Sequence, residues 1–258
     1  MRLAAVLFLF ASAAAMVGAQ TAASQNAAPQ TTPQWTYLGR TGPINWDKLD
    51  PANRACSQGQ EQSPIDIRGA HLNKALQPIQ FHYLAGPVSM ENTGNLIVTH
   101  VSPGNYIVVN GMRYDLERLE FHQPSEHAIK GKLTDMEVQF IHKSADGKMA
   151  AIAERMTLDR GEANATLATL WEHLPSEAHT TEKVAKLVNP GGLLPGDRGY
   201  WTYTGSLTTP PCTEGVQWFV MEQDLSISRQ QLRELQRLFK VSSRTLRDGH
   251  GRSIQANE

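Results

Sequence analysis

Two neighbouring stretches decide how this chain is read: Leu119-Glu120-Phe121-His122-Gln123-Pro124-Ser125-Glu126-His127 and Met136-Glu137-Val138-Gln139-Phe140-Ile141-His142. In both, side chains alternate with the period of two that sends neighbours to opposite faces of a strand. Arg118, Glu120 and His122 then share one face of the first strand. Glu137, Gln139 and Ile141 share one face of the second.

Working outward, short segments rich in Val, Ile, Phe and Tyr recur at residues 79–83, 96–101, 106–110, 118–122, 136–142, 149–156 and 216–221, separated by turn residues. This is a mainly β, antiparallel pattern. Helical spacing is rarer. Residues 163–174 place Leu167, Leu170, Trp171 and Leu174 on one face. Ser228-Arg229-Gln230-Gln231 has the form of a capping box, opening a helix that carries Leu232, Leu235, Leu238 and Phe239.

At 258 residues and 40% hydrophobic, the chain is long and apolar enough for one globular domain with a sizeable core. A net charge of −1 gives no electrostatic case for nucleic acid or for an anionic membrane surface. Met1-Arg2, the apolar run from Leu3 to Ala15 and the small residues Val17-Gly18-Ala19 read as a secretory signal peptide over residues 1–19. An uncleaved anchor is the alternative reading. No later segment is apolar enough to span a bilayer. Residues 20–33 are Ala, Gln, Thr, Ser, Asn and Pro and read as a flexible leader, leaving residues 34–258 as the domain. An exported chain with two cysteines, Cys56 and Cys212, favours a disulfide, with two buried thiols as the other possibility. No G-x-S-x-G elbow, phosphate loop or CxxC motif is present.

The two opening stretches, together with Tyr200-Trp201-Thr202-Tyr203-Thr204-Gly205-Ser206-Leu207-Thr208-Thr209-Pro210-Pro211-Cys212 and Gln62-Ser63-Pro64-Ile65-Asp66, resemble the α-class carbonic anhydrases. The resemblance runs from about Trp35 to Gln255. It implies a large twisted, mostly antiparallel central sheet with a few short surface helices and a site in a central cone. It also implies zinc as cofactor, CO2 and bicarbonate as substrate and product, and a periplasmic or secreted location. Exported members often pair a cysteine before Q-S-P-I with one after T-T-P-P, the places of Cys56 and Cys212.

The family reads F-H-F-H and E-x-H-x-x-H in the opening stretches, and three of those histidines hold zinc. The corresponding positions here are Glu120, His122 and Gln139, which the resemblance brings together in the cone. A carboxylate can bind zinc, but a neutral amide oxygen suits harder ions, and a Glu-His-Gln set is not among the usual zinc sites. Weak or no zinc is the expectation. Arg118 stands where the enzymes usually carry a Gln. At i, i+2 from Glu120 its guanidinium can pair with that carboxylate, or it can snorkel out of the cone.

The resemblance makes Thr208 and Glu126 the gate-keeping pair, the hydroxyl donating to the carboxylate. It makes Glu137 a supporting carboxylate that accepts from the Gln139 amide. The substrate pocket is Ile141, Ala151, Leu207, Thr209 and Trp218. Asn95 occupies the proton-shuttle position and cannot titrate near neutral pH. His127 and His142 fall at structural positions. The expectation is lost or strongly impaired CO2 hydration, with the cone kept for binding or as a scaffold; the alternative is an active hydratase with an unusual metal set. Aligning the family segment N-x-R-P-x-Q with His250-Gly251-Arg252-Ser253-Ile254-Gln255 leaves no room for the family's last strand, so an uncovered sheet edge is expected.

Overall fold

The alternating segments form one 13-stranded sheet, seen in a computed structural model that describes residues 34–158 and 162–257. The signal peptide and leader, residues 1–33, lie outside the described residues. Ten strands make its main path: β1 (His71–Leu72), β2 (Val88–Asn92), β3 (Ile97–Val101), β4 (Met112–His122), β5 (Met136–Lys143), β6 (Met149–Thr157), β7 (Thr180–Lys183), β8 (Tyr200–Ser206), β9 (Glu214–Met221) and β10 (Gln255–Ala256). Their spatial order is β7-β2-β3-β4-β5-β6-β9-β8-β10-β1. Most neighbours are antiparallel; β6 with β9 and β10 with β1 are parallel.

Alternation sorts the side chains of the central strands into two layers. Ile141, Ala151, Ala153, Val216, Trp218 and Val220 gather on the side of the site. Phe140, Ile152, Phe219 and Met221 join the larger core on the opposite face, packed against Leu167, Leu170, Leu232 and Leu235 of two helices. Those helices span Ala165–Trp171 and Arg229–Leu238. The second starts with the capping box: Ser228 accepts from the Gln231 amide while the Gln231 side chain accepts from the Ser228 amide. Each reciprocal bond satisfies a backbone donor that the first turn leaves open. The first helix is shorter at both ends than the apolar spacing suggested; Asn164 sets its start by accepting from Leu167 N–H.

The expectation of a missing last strand is wrong. β10 lies between β8 and β1, with Trp201 opposite Ala256, Thr202 opposite Gln255 and Gln255 alongside His71. His71 and Asn73 N–H donate to the Ile254 and Ala256 carbonyls. The buried arginine of the C-terminal segment is Arg244, 2% exposed, whose guanidinium donates to the carbonyls of Ser63 and Cys56. The family segment is therefore placed at Ser242–Arg247, eight residues earlier than the alignment above, and the chain is long enough to supply the strand.

Cys56 and Cys212 are bonded, with Cα atoms 5.1 Å apart. The bridge sits among Tyr37, Trp46, Leu96 and Val98. Among the described residues, no helix is long and apolar enough to cross a membrane.

Candidate functional site

β4 and β5 carry the centre of the site. Their register puts Glu120 opposite Gln139 and His122 opposite Glu137, with Arg118 opposite Ile141. A register shift between Leu116 and Arg118 precedes this stretch. Glu120, His122, Glu126, Glu137, Gln139 and Thr208 are all buried. Burying six polar side chains is costly unless each finds partners, and the partners define the site.

Arg118 Nε donates to Glu120 Oε1 at 2.6 Å, and its Nη1 lies 3.5 Å from Glu117 Oε2. Glu120 Oε2 is 3.8 Å from His122 Nε2, an ion-pair distance rather than a hydrogen bond. His122 Nδ1 donates to the Ser242 carbonyl at 2.7 Å, which fixes one ring proton there. Its Nε2 has no hydrogen-bond partner.

Gln139 is held at both ends of its amide. Nε2 donates to Glu126 Oε2 at 2.6 Å and to Glu137 Oε1 at 2.9 Å, using both of its hydrogens. Its Oε1 accepts from the Thr208 hydroxyl at 3.3 Å. Thr208 also lies against Glu126, where its hydroxyl helps to lower the carboxyl. Glu126 Oε1 accepts from Arg244 N–H at 2.7 Å. Glu137 further accepts from the backbone N–H groups of Glu126 and His127 and from His127 Nδ1. His127 Nε2 then meets the Tyr203 hydroxyl at 2.7 Å, which joins Ser63 Oγ at 2.8 Å. Tyr37 is buried beside Glu126 and Glu120, and its hydroxyl has no hydrogen-bond partner.

The charges follow from these contacts. Burial pushes the Glu120 carboxyl up, but His122 and the Arg118 guanidinium outweigh it and hold it at about 2. Burial pushes His122 down, and the surrounding carboxylates Glu126, Glu120 and Glu137 reverse that, raising it to about 9. Glu137 is held at about 2, because His127 and its other donors overcome burial. Glu126 is raised, chiefly by burial. The floor is a ladder of alternating charge, Arg118, Glu120 and His122, closed below by hydrogen-bonded carboxylates.

The remaining expected residues lie where the strands put them. Ile141, Ala151 and Trp218 pack together, with Leu207 against them. Thr209 is buried near its end. Asn95 is 8% exposed, and its side-chain amide donates to the Trp35 carbonyl at 2.7 Å. Sequence reasoning missed Tyr37, Ser242 and Arg244. Placing the C-terminal family segment at Ser242–Arg247 would have found the last two; nothing in the sequence marks Tyr37.

The comparisons with known proteins agree with this fold. The family model described as eukaryotic-type carbonic anhydrase matches residues 41–257. A carbonic anhydrase of Pectobacterium carotovorum is 36% identical over 85% of this chain and 89% of that protein. One of Klebsiella pneumoniae is 36% identical over 77% of this chain and 80% of its own length. Among solved structures, a hyperthermostable carbonic anhydrase from an active hydrothermal vent chimney superposes with a TM-score of 0.83 at 38% identity, covering 87% of this chain and all of that one. The α-carbonic anhydrase of Thermovibrio ammonificans, in complex with sulfanilamide, gives the same TM-score at 32% identity, over 86% of this chain and 98% of its own. The mostly antiparallel 13-stranded sheet with few short helices is the α-carbonic anhydrase fold. The chain belongs to the carbonic anhydrase family.

Zinc is the metal of that family, and the residues present do not fit it. Glu120 is already taken by a fixed cation. The Gln139 amide spends both hydrogens on carboxylates and its oxygen on Thr208. His122 Nε2 is the one free imidazole nitrogen of the three positions. No group of three or more His, Cys, Asp or Glu side chains placed to hold a metal ion occurs among the described residues.

Proposed function

We propose that this is an exported carbonic-anhydrase-family protein that has lost, or nearly lost, CO2 hydration and keeps its cone as a binding or scaffold element. The observation that carries this reading is the Arg118–Glu120 contact at 2.6 Å beside a fully engaged Gln139. A guanidinium, which cannot lose its proton in a protein, contributes a permanent positive charge to the floor beside His122. CO2 hydration at neutral pH needs a metal to lower the pKa of water to about 7 and a route for the released proton. Glu120 and Gln139 stand in place of two ligand histidines, and Asn95 stands in place of the proton carrier. Export rests on the apolar N-terminal segment and on the Cys56–Cys212 disulfide, with the periplasm as the compartment.

The pair is tested by a double-mutant cycle in urea. Arg118→Ala leaves the Glu120 carboxylate buried without its partner and is expected to cost about 1–4 kcal/mol of stability. Glu120→Gln removes that charge and is expected to recover part of the loss in the double variant. Strictly additive single effects would mean that the two side chains do not act together.

A further inference from the structure

The face of the sheet turned away from the cone holds a groove of about 680 Å³, a size common among small-molecule sites. β8 and β9 make its floor. Their register puts Thr202 opposite Phe219 and Thr204 opposite Gln217, and β10 adds Gln255 next to Thr202. The partly exposed Tyr114 adds aromatic surface to the lining.

The charged groups of the lining, Glu61, Lys148 and Arg252, include both signs. The Arg252 guanidinium donates to the carbonyls of Gly249, Thr204, Gln62 and Asp248. Lys148 pairs with Asp146 at 2.9 Å. The neutral groups are not spent. Gln217 donates through Nε2 to Thr202 and to the Tyr203 carbonyl, and its Oε1 has no partner among the described residues. Gln255 accepts from Asn73, and its Nε2 donates to no group among the described residues. The hydroxyls of Tyr114, Thr204 and Ser253 likewise make no hydrogen bond within the protein among the described residues. With Lys148 paired to Asp146, Glu61 and Arg252 are left, opposite in sign, so the lining favours neither an anion nor a cation. A ligand with several hydroxyls finds free donors and free acceptors, with ring faces for its C–H surface.

The geometry points to this groove as a binding site for a neutral polyhydroxylated ligand, a short oligosaccharide. It is built from the outer face of β8, β9 and β10 and is independent of what the cone does. The test uses the mature chain with maltotriose, cellotriose and chitotriose as probes, read by saturation-transfer NMR and calorimetry. At least one trisaccharide is expected to bind saturably. Thr204→Trp, which fills the groove from an exposed position, is expected to weaken that binding at least tenfold. Gln217→Leu, which removes the free amide oxygen, is expected to weaken it as well. Lys186→Ala, on a distant surface ion pair, is expected to leave it unchanged. No binding of any of the three probes, or binding that both groove variants leave intact, overturns the proposal.

Discussion

Glu120→His with Gln139→His and Arg118→Gln is expected to give a protein that holds one zinc per molecule. β4 and β5 already present the three positions side by side, with Glu120 opposite Gln139 and His122 one step along the same face. His122 is anchored through Nδ1 to the Ser242 carbonyl, and its Nε2 is unpartnered. Three imidazoles around one open corner are a well-suited zinc set. Arg118 has to change as well, because a fixed guanidinium beside the ligands opposes a dication. Glu137, now holding the Gln139 amide, is placed to accept from an imidazole at the same position. CO2 hydration is expected to rise by on the order of 10³-fold over the unmodified protein. It is expected to rise further with Asn95→His, since each turnover releases a proton that Asn95 cannot carry. Zinc stoichiometry after dialysis and stopped-flow hydration read the two parts separately. A variant that folds but binds no zinc would show that the frame itself is unsuited.

The second large effect concerns the disulfide. Cys56 and Cys212 are 156 residues apart in sequence, so the bridge restrains most of the domain in the unfolded state. Chain entropy puts its removal at about 5 kcal/mol. Cys56→Ala with Cys212→Ala is expected to lower the unfolding free energy by that amount, measured by urea denaturation. The damage is expected to reach the site. The Cys56 carbonyl accepts from Arg244, whose backbone N–H holds Glu126. Cys212 N–H donates to the Thr209 carbonyl, next to Thr208. A loss below about 1 kcal/mol would place the stability of the domain elsewhere.

The strands that carry the site were legible as apolar segments between turn residues, although β5 and β6 are buried on both faces and show no alternation of burial. In β4 the i, i+2 relation of Arg118 and Glu120 followed from the strand period. β7 and β10 were not legible. β7 is a mostly exposed run of Thr, Glu and Lys, and β10 is two residues long, so neither has an apolar pattern to read. The late stretch around Arg252 also carries an Arg and a Gln at the family spacing, which drew the alignment to it. Only the burial of Arg244 distinguishes the two. On resemblance the Thr208 hydroxyl belongs with Glu126, and it helps to lower that carboxyl, but it also reaches Gln139. Its bond to Gln139 depends on which way an amide turns, and that is decided by the two carboxylates around it. Tyr37 reaches the floor through tertiary packing alone.

The central claim is that this floor works without a resident metal. The most direct measurement is the zinc content of the purified, dialysed wild-type protein by elemental mass spectrometry, with CO2 hydration recorded on the same sample. The account predicts zinc far below one atom per chain and hydration near the uncatalysed rate. Stoichiometric zinc with strong hydration would contradict it and establish an active hydratase built on Glu120, His122 and Gln139.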